Sequence, residues 1–104
     1  MFMGKIIPFE DRFVDAAHCA RHVQECLDRD DIDFEQPHFR ERLKERDITM
    51  RQVLSTVQKG EITDGPNKDV HGDFRIKMRR YVAGRKVQVV LALNVGKCTV
   101  VTVI

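Results

Sequence analysis

The sequence predicts an α+β protein in which two to three N-terminal helices pack on one face of a C-terminal antiparallel sheet of three to four strands. Between residues 11 and 60, apolar side chains recur at the three- and four-residue spacing of amphipathic helices. From residue 74 onward, apolar side chains alternate with polar ones between glycine-containing turns, which is the pattern of strands. With 104 residues, the chain is long enough to form one hydrophobic core without disulfides or metals.

Each of the three predicted helices has its own sequence signals. The first is predicted by its apolar stripe to run from about residue 11 to residue 27. Pro37, a residue favoured in the first helical turn, begins the second helix. Thr49 caps the third helix, Gln52 completes a capping box with it, and Gly60 ends the helix.

An aspartate-rich stretch, residues 28–33, marks a predicted boundary between the first two helices. Asp weakens a helix because its side chain competes for backbone hydrogen bonds. The boundary gives an amphipathic helical extension, residues 1–31, followed by an α+β domain, residues 32–104. The extension could cover the sheet, mediate a homodimer or lie over a functional site as a lid, and the sequence leaves these alternatives open.

The predicted sheet consists of three strands after residue 74, with residues 61–63 as a short additional edge strand. In the first of the three, Phe74, Ile76 and Met78 share one face. Arg80 breaks this alternation. A β-bulge that resets the register is the favoured explanation, and an arginine facing the helices, which would need an anionic partner, is the other. Residues 64–73 are predicted to be a loop because Asp, Gly, Pro and Asn dominate them.

The charge of the chain is unevenly distributed. The net charge is only +2, but residues 74–104 contain seven Lys and Arg residues and no Asp or Glu. A basic strand face could bind the backbone of a nucleic acid such as RNA, and a solvated strand face is the alternative. The candidate nucleic-acid-binding residues are Arg75, Lys77, Arg79, Arg85 and Lys86.

Cysteine use and hydropathy predict a cytoplasmic protein that is not inserted in a membrane. Cys19, Cys26 and Cys98 form an odd set without C-x-x-C spacing, which does not favour a disulfide framework. No apolar run reaches the length of a membrane span or of a signal peptide. His18, His22 and Cys26 share a helical stripe that could chelate zinc, with Cys19 nearby. No fourth ligand is apparent, so no metal site is predicted and the question stays open.

A second helical stripe contains His38, Arg42 and Arg46 at four-residue spacing. At the rim where helix meets sheet, these side chains could direct one imidazole and two guanidinium groups at a bound anion. Glu41 and Glu45 interleave with them, and from spacing alone a solvated, salt-bridged helix face is favoured.

Three short motifs carry a family resemblance that covers about residues 32–104. Residues 38–49 are H-F-R-E-R-L-K-E-R-D-I-T, Val53-Leu54 precedes Gly60-Glu61-Ile62, and V-V-T-V begins at Val100. This combination resembles a bacterial family of domains of unknown function related to the RelE and ParE toxins, whose members open with H-A-x-E-R-M-x-E-R-G-I and then S or T. Phe39 and Asp47 depart from the family's Ala and Gly, and Ile104 stands in place of its usual terminal Tyr.

The resemblance implies the fold of RelE-like and barnase-like ribonucleases, in which two helices pack on an antiparallel sheet. It also implies catalytic roles for His38, Arg42 and Arg46. Thr102 falls in the final strand, where related ribonucleases often place a polar active-site residue.

The favoured hypothesis is a small metal-independent ribonuclease or toxin-type RNA-cleaving protein that needs no cofactor. His38 would move a proton, and Arg42 together with Arg80 would stabilise the charged phosphoryl transition state. The partners would be RNA and an antitoxin-like protein. The alternative is a non-catalytic module that binds a protein or a nucleic acid with its basic strand face.

Overall fold

A computed structural model describes residues 13–104 of the chain. The elements are α1 (Ala16–Arg29), β1 (Ile32–Asp33), α2 (Pro37–Arg46), α3 (Met50–Lys59), β2 (Glu61–Lys68), β3 (Phe74–Val82), β4 (Arg85–Asn94) and β5 (Lys97–Val103).

One five-stranded sheet, in the order β1-β5-β4-β3-β2, organises the molecule. The predicted α+β class is confirmed, but the sheet has more strands than expected and contains one parallel pair. That pair joins β1 to β5, with Ile32 opposite Cys98 and Asp33 opposite Thr99. Strand β1 lies in the stretch predicted to be a linker, because two residues are too few to produce a periodic signal.

The helices cover one face of the sheet and share a single core with it. Buried residues of all three helices pack with those of β3, β4 and β5 in one cluster. Helix α1 contributes Cys19, Val23 and Cys26, each with no exposed surface. Of the roles considered for the N-terminal extension, covering the sheet is therefore the one that α1 has within this chain. Among residues 13–104, no helix is long and apolar enough to cross a membrane.

The helix termini show how local sequence sets the bounds of the helices. Thr49 Oγ1 accepts a hydrogen bond from the Gln52 backbone N–H at 3.2 Å, and Gln52 Oε1 accepts one from the Thr49 N–H at 2.8 Å. This is the predicted capping box. Asp15 caps α1 by accepting from the His18 N–H at 2.9 Å. Helix α1 therefore begins later than predicted; the predicted start at residue 11 lies outside the described residues.

Strand β2 is longer than the sequence indicated. Residues 64–68, predicted to be loop, continue the strand and pair with β3 through two register shifts, one on each side of Asp64. Gly65 makes this path possible, since it adopts φ +102° and an added Cβ would lie 2.5 Å from the Arg75 carbonyl oxygen. The loop is thus confined to residues 69–73.

Arg80 lies in a regular part of the sheet, so the favoured β-bulge is wrong. The β3–β4 pairing is continuous from Phe74–Leu93 to Val82–Arg85. Arg80 is opposite the buried Val87 and therefore points to the face that the helices cover, where it is half-buried. This position, close to the end of the strand, allows the long side chain to reach solvent with its charged group.

Candidate functional site

A cleft with a volume of about 280 Å³ lies on the sheet face that the helices leave open, beside the N-terminus of α2. Its residues come from the start of α2, the loop before β3, and strands β3, β4 and β5. They are Gln36, His38, Asp73, Arg75, Ala92, Asn94, Thr99 and Val101.

The strand register places three of these side chains in one row across the sheet. Arg75 is opposite Ala92, and Ala92 is opposite Thr99. Because directly opposite residues point to the same face, the guanidinium and the hydroxyl flank a small methyl group, across strands that stand about 5 Å apart. The small Ala92 side chain leaves the space between them.

Arg75 is positioned by the loop that precedes its strand. Its Nε donates to Asp69 Oδ2 at 2.9 Å. Asp69 Oδ1 accepts from the backbone N–H groups of His71 and Asp73, at 2.8 and 3.0 Å. The bond from Arg75, supported by these two N–H groups, holds the pKa of Asp69 below its ordinary value. The terminal amino groups of Arg75 make no hydrogen bond within residues 13–104, so they can contact a ligand.

Asp73 adds a carboxylate to the cleft. In the amide orientation that satisfies both of its polar atoms, Asn94 Nδ2 donates to Asp73 Oδ1 and to the Leu93 carbonyl oxygen, both at 2.9 Å. This contact orients the Asp73 side chain while leaving its second oxygen available as an acceptor.

The sequence predicted two of the cleft's six polar residues and missed the other four, one of which is Gln36. His38 and Arg75 were candidates, whereas Asp73, Asn94 and Thr99 were not. Asp73 and Asn94 flank the ends of two paired strands, and Thr99 falls on the outward face of β5. The exact pairing of the strands brings these residues together, and the alternation pattern alone does not predict that pairing.

The α2 stripe is only partly in the cleft. His38 is exposed at the second residue of the helix and lines the cleft. Arg42 instead donates from Nη1 to Glu45 Oε1 at 3.1 Å, and neither Arg42 nor Arg46 lines the cleft. The stripe therefore brings an imidazole to the site, while its two guanidinium groups lie further along the helix.

Thr102 and Arg80 lie on opposite faces of the sheet. Thr102 is opposite Val90, which is itself opposite Lys77 on the face that carries the cleft. Arg80 is opposite Val87, on the face covered by the helices. The sheet separates these two side chains, so Thr102 and Arg80 cannot both belong to one site with His38.

Acidic residues of β2 lie against the predicted basic strand face. Arg79 Nη2 donates to Glu61 Oε1 at 2.5 Å, and this contact raises the pKa of Arg79. Asp64 is the pairing partner of Lys77. Residues 74–104 contain no acid of their own, but their neighbouring strand supplies carboxylates, so this face is mixed in charge rather than uniformly basic.

The last two candidate nucleic-acid-binding residues differ from each other in their contacts. Arg85 donates from Nη1 to the Asp47 carbonyl oxygen at 2.5 Å and from Nη2 to the Arg46 carbonyl oxygen. These bonds attach the β3–β4 turn to the C-terminus of α2. Lys86 is exposed and makes no hydrogen bond or ion pair within the described residues. Lys86 is thus available to an external anion, while Arg85 has a structural role.

A second group of potential ligands lies away from the cleft, between α1 and β5. One donor atom each from His22, Cys26 and Cys98 lies within 4.8 Å of the others. His18, the other histidine of the predicted stripe, contacts Asp15 instead, at 2.7 Å. Burial raises the pKa of all three thiols, that of Cys19 to about 11.

A family comparison covers the cleft and most of the fold. The family model described as "Domain of unknown function (DUF4258)" matches residues 36–104. The chain belongs to the DUF4258 family. No curated protein and no solved structure matches it. In this DUF4258 protein the matched region runs from the start of α2 to the end of the chain and contains every residue of the cleft, whereas α1 and β1 precede it.

Proposed function

We propose that this DUF4258 protein is a small RelE-like ribonuclease that cleaves RNA without a metal ion. The proposal rests on the cleft, where His38, Arg75, Asp73 and Thr99 converge on a solvent-accessible space. An imidazole, a guanidinium, a carboxylate and a hydroxyl are the groups that phosphoryl transfer needs for proton movement and for binding the charged phosphate.

The proposed reaction is attack by the ribose 2′-hydroxyl on the adjacent phosphorus. The bond from O2′ to phosphorus forms and the bond from phosphorus to O5′ breaks. The products are a 2′,3′-cyclic phosphate and a 5′-hydroxyl. One group in the cleft takes the proton of the 2′-hydroxyl and another gives a proton to O5′. His38 with Asp73 provides such an acid–base pair.

Arg75 takes the role that the sequence analysis gave to Arg42 and Arg80. Its unbonded amino groups would contact the non-bridging phosphate oxygens as their charge develops. The Asp69 contact keeps the guanidinium in place, since it holds Nε at 2.9 Å. Thr99 lies on the side of Ala92 away from Arg75, and its hydroxyl would donate a hydrogen bond to the substrate. Thr102, on the same sheet face, would contact a neighbouring nucleotide.

The test is cleavage of an RNA oligonucleotide by the purified chain in the presence of a chelator. We expect His38→Ala and Arg75→Ala each to lower the rate by about 100-fold or more. Arg46→Gln, an exposed arginine of the same helix outside the cleft, is the matched control and should keep the activity. An all-deoxy oligonucleotide should not be cleaved, because it lacks the nucleophile.

Several results of this experiment would contradict the proposed ribonuclease activity. They are no cleavage by the unaltered chain, equal cleavage by His38→Ala, or cleavage of the deoxy oligonucleotide. Circular dichroism of each variant verifies that lost activity does not come from lost structure.

A second candidate function is a non-catalytic module that binds a protein of antitoxin type through the same sheet face. The mixed charge of that face favours it, with Arg79 bound to Glu61 and Tyr81 63% exposed. Lys77→Glu with Lys86→Glu should then weaken the complex, whereas His38→Ala should leave it unchanged. For nucleic acid in place of protein, the affinity would also fall steeply with salt.

A further inference from the structure

Three potential metal ligands meet where α1 packs against β5. His22 and Cys26 are four residues apart, so both project from one side of α1, one turn from each other. Cys98, near the start of β5, faces them across the core. Both sulfur atoms belong to fully buried residues, while His22 is half-buried.

The distances within this group suit a tetrahedral zinc site. With Zn–S of about 2.3 Å and Zn–N of about 2.0 Å, adjacent ligand atoms of a tetrahedron lie about 3.5 Å apart. His22 Nε2 and Cys26 Sγ are 3.6 Å apart. All three ligand atoms lie within 4.8 Å of one another, so these distances need to shorten only slightly for the group to bind the ion.

Backbone hydrogen bonds fix the two cysteines relative to each other. The Asp31 N–H donates to the Cys26 carbonyl oxygen at 2.8 Å, and the Cys98 N–H donates to the Asp31 carbonyl oxygen at 3.1 Å. The parallel β1–β5 pair continues this connection. The ligand positions are therefore held by the fold, so little conformational entropy is lost when they bind an ion.

We propose that His22 Nε2 and the Cys26 and Cys98 thiolates bind one Zn²⁺ ion, which links α1 to β5. Two thiolates and an imidazole are ligands that zinc prefers over magnesium or calcium, and a water molecule completes the tetrahedron. Two thiolates also balance the charge of the ion. The Arg29 guanidinium, with Nη2 3.9 Å from Cys26 Sγ, places a positive charge beside the bound thiolate.

Zinc replaces two protons and one hydrogen bond in this group. Cysteine binds zinc as the thiolate, so binding releases one proton from each of the two thiols. His22 Nε2 also lies 3.2 Å from the Lys97 carbonyl oxygen. Coordination through Nε2 ends that contact and leaves the imidazole proton on Nδ1.

The experiment uses the full chain, reduced and stripped of metal with a chelator that is then removed. Titration with Co²⁺ should give the visible bands of a tetrahedral site and a thiolate-to-cobalt charge-transfer band, saturating at one ion per chain. Zn²⁺ should displace the cobalt and raise the melting temperature. His22→Gln and Cys26→Ser should each lower the zinc affinity by more than about 100-fold, since even outer-shell partners of a metal site reach that figure.

Two residues of α1 supply matched controls. Cys19 is a buried thiol outside the group, and His18 is an imidazole on the same helix that contacts Asp15 instead. Cys19→Ser and His18→Gln should keep the charge-transfer band and the zinc-dependent rise in melting temperature. Circular dichroism of the metal-free His22→Gln variant, altered only at a half-buried position, distinguishes loss of a ligand from loss of the fold.

The zinc site is overturned by an absent charge-transfer band in the unaltered chain, or by unchanged affinity in both His22→Gln and Cys26→Ser. A Cys26–Cys98 disulfide that persists under reducing conditions would also overturn it. The RNA-cleavage assay in chelator is independent of these outcomes, because the zinc ligands and the cleft share no residue.

Discussion

Asp69 organises the entrance to the candidate cleft through three hydrogen bonds. Its carboxylate accepts from Arg75 Nε and from the N–H groups of His71 and Asp73. A carboxylate that receives this many donors is stabilised in its charged form, which is why its pKa lies below the ordinary value. The folded state therefore binds the proton of Asp69 less readily than the unfolded state does.

The sign of this shift predicts an acid-dependent loss of stability. Stability from Asp69 is fully present above the unfolded pKa of about 3.9 and is lost as the pH falls through the lower folded value. We expect Asp69→Asn to destabilise the protein at pH 7 and to make its free energy of unfolding less dependent on pH below about 4. Urea denaturation at a series of pH values measures both effects.

The control for this prediction is Asp28→Asn. Asp28 is an exposed carboxylate of α1 with no hydrogen bond within the described chain. If both variants show the same pH dependence as the unaltered chain, the contacts of Asp69 contribute nothing to the acid sensitivity of the fold.

The backbone path of β2 beside β3 depends on one glycine. Gly65 has φ +102°, and a Cβ there would meet the Arg75 carbonyl oxygen at 2.5 Å and the Ile76 Cα at 3.1 Å. We expect Gly65→Ala to lower the free energy of unfolding by about 3 kcal/mol, because backbone strain and a backbone clash add together. Equilibrium denaturation in urea measures this change.

Gly84 provides the matched control in the neighbouring turn. It also has a positive φ, +78°, but nothing lies within 4 Å of an added Cβ. Gly84→Ala should therefore cost only the conformational strain, about 1 kcal/mol. Equal costs at the two positions would show that the close approach to Arg75 is relieved by a small backbone movement.

The helices and central strands could be predicted because their signals are local. Thr49 and Gln52 cap α3 through atoms three residues apart, and Phe74, Ile76 and Met78 alternate within one strand. Strand β1 and residues 64–68 of β2 could not be predicted in the same way, although residues 61–63 were predicted as a short edge strand. The first is two residues long, and the second contains Asp, Gly, Pro and Asn, which are typical of loops but here accommodate two register shifts.

The candidate site depends on strand register, which explains why only part of it could be predicted. A register irregularity between Val90 and Leu91 shifts the pairing of β5, so that Thr102 is opposite Val90 on the open face. Without this shift, Thr102 would be opposite Val89 and would face the core, since moving by one residue reverses every side chain. His38 was found from spacing within one helix, whereas the convergence of Asp73, Arg75 and Thr99 arises from pairing between strands.

Residues 13–104 share one core, although the sequence predicted a boundary at residue 31 and the family model begins at residue 36. Cys19, Val23 and Cys26 of α1 are buried in the cluster that also contains the apolar residues of α2, α3 and the sheet. Removing the helix would expose apolar surface of β4 and β5, and burial of such surface is the main stabilising contribution to folding.

We therefore expect residues 32–104 alone to lack the stable fold of the full chain. The thermal transition monitored by circular dichroism should lose its cooperativity or shift far below that of the intact protein. Within the intact chain, Val23→Ala should cost about 2 kcal/mol, because Val23 is fully buried. Val14→Ala, at a position that is 63% exposed, should change the free energy of unfolding by less than about 0.5 kcal/mol. A cooperative transition of residues 32–104 at the melting temperature of the full chain would instead make α1 an independent addition to the family domain, since its loss would then leave the shared core intact.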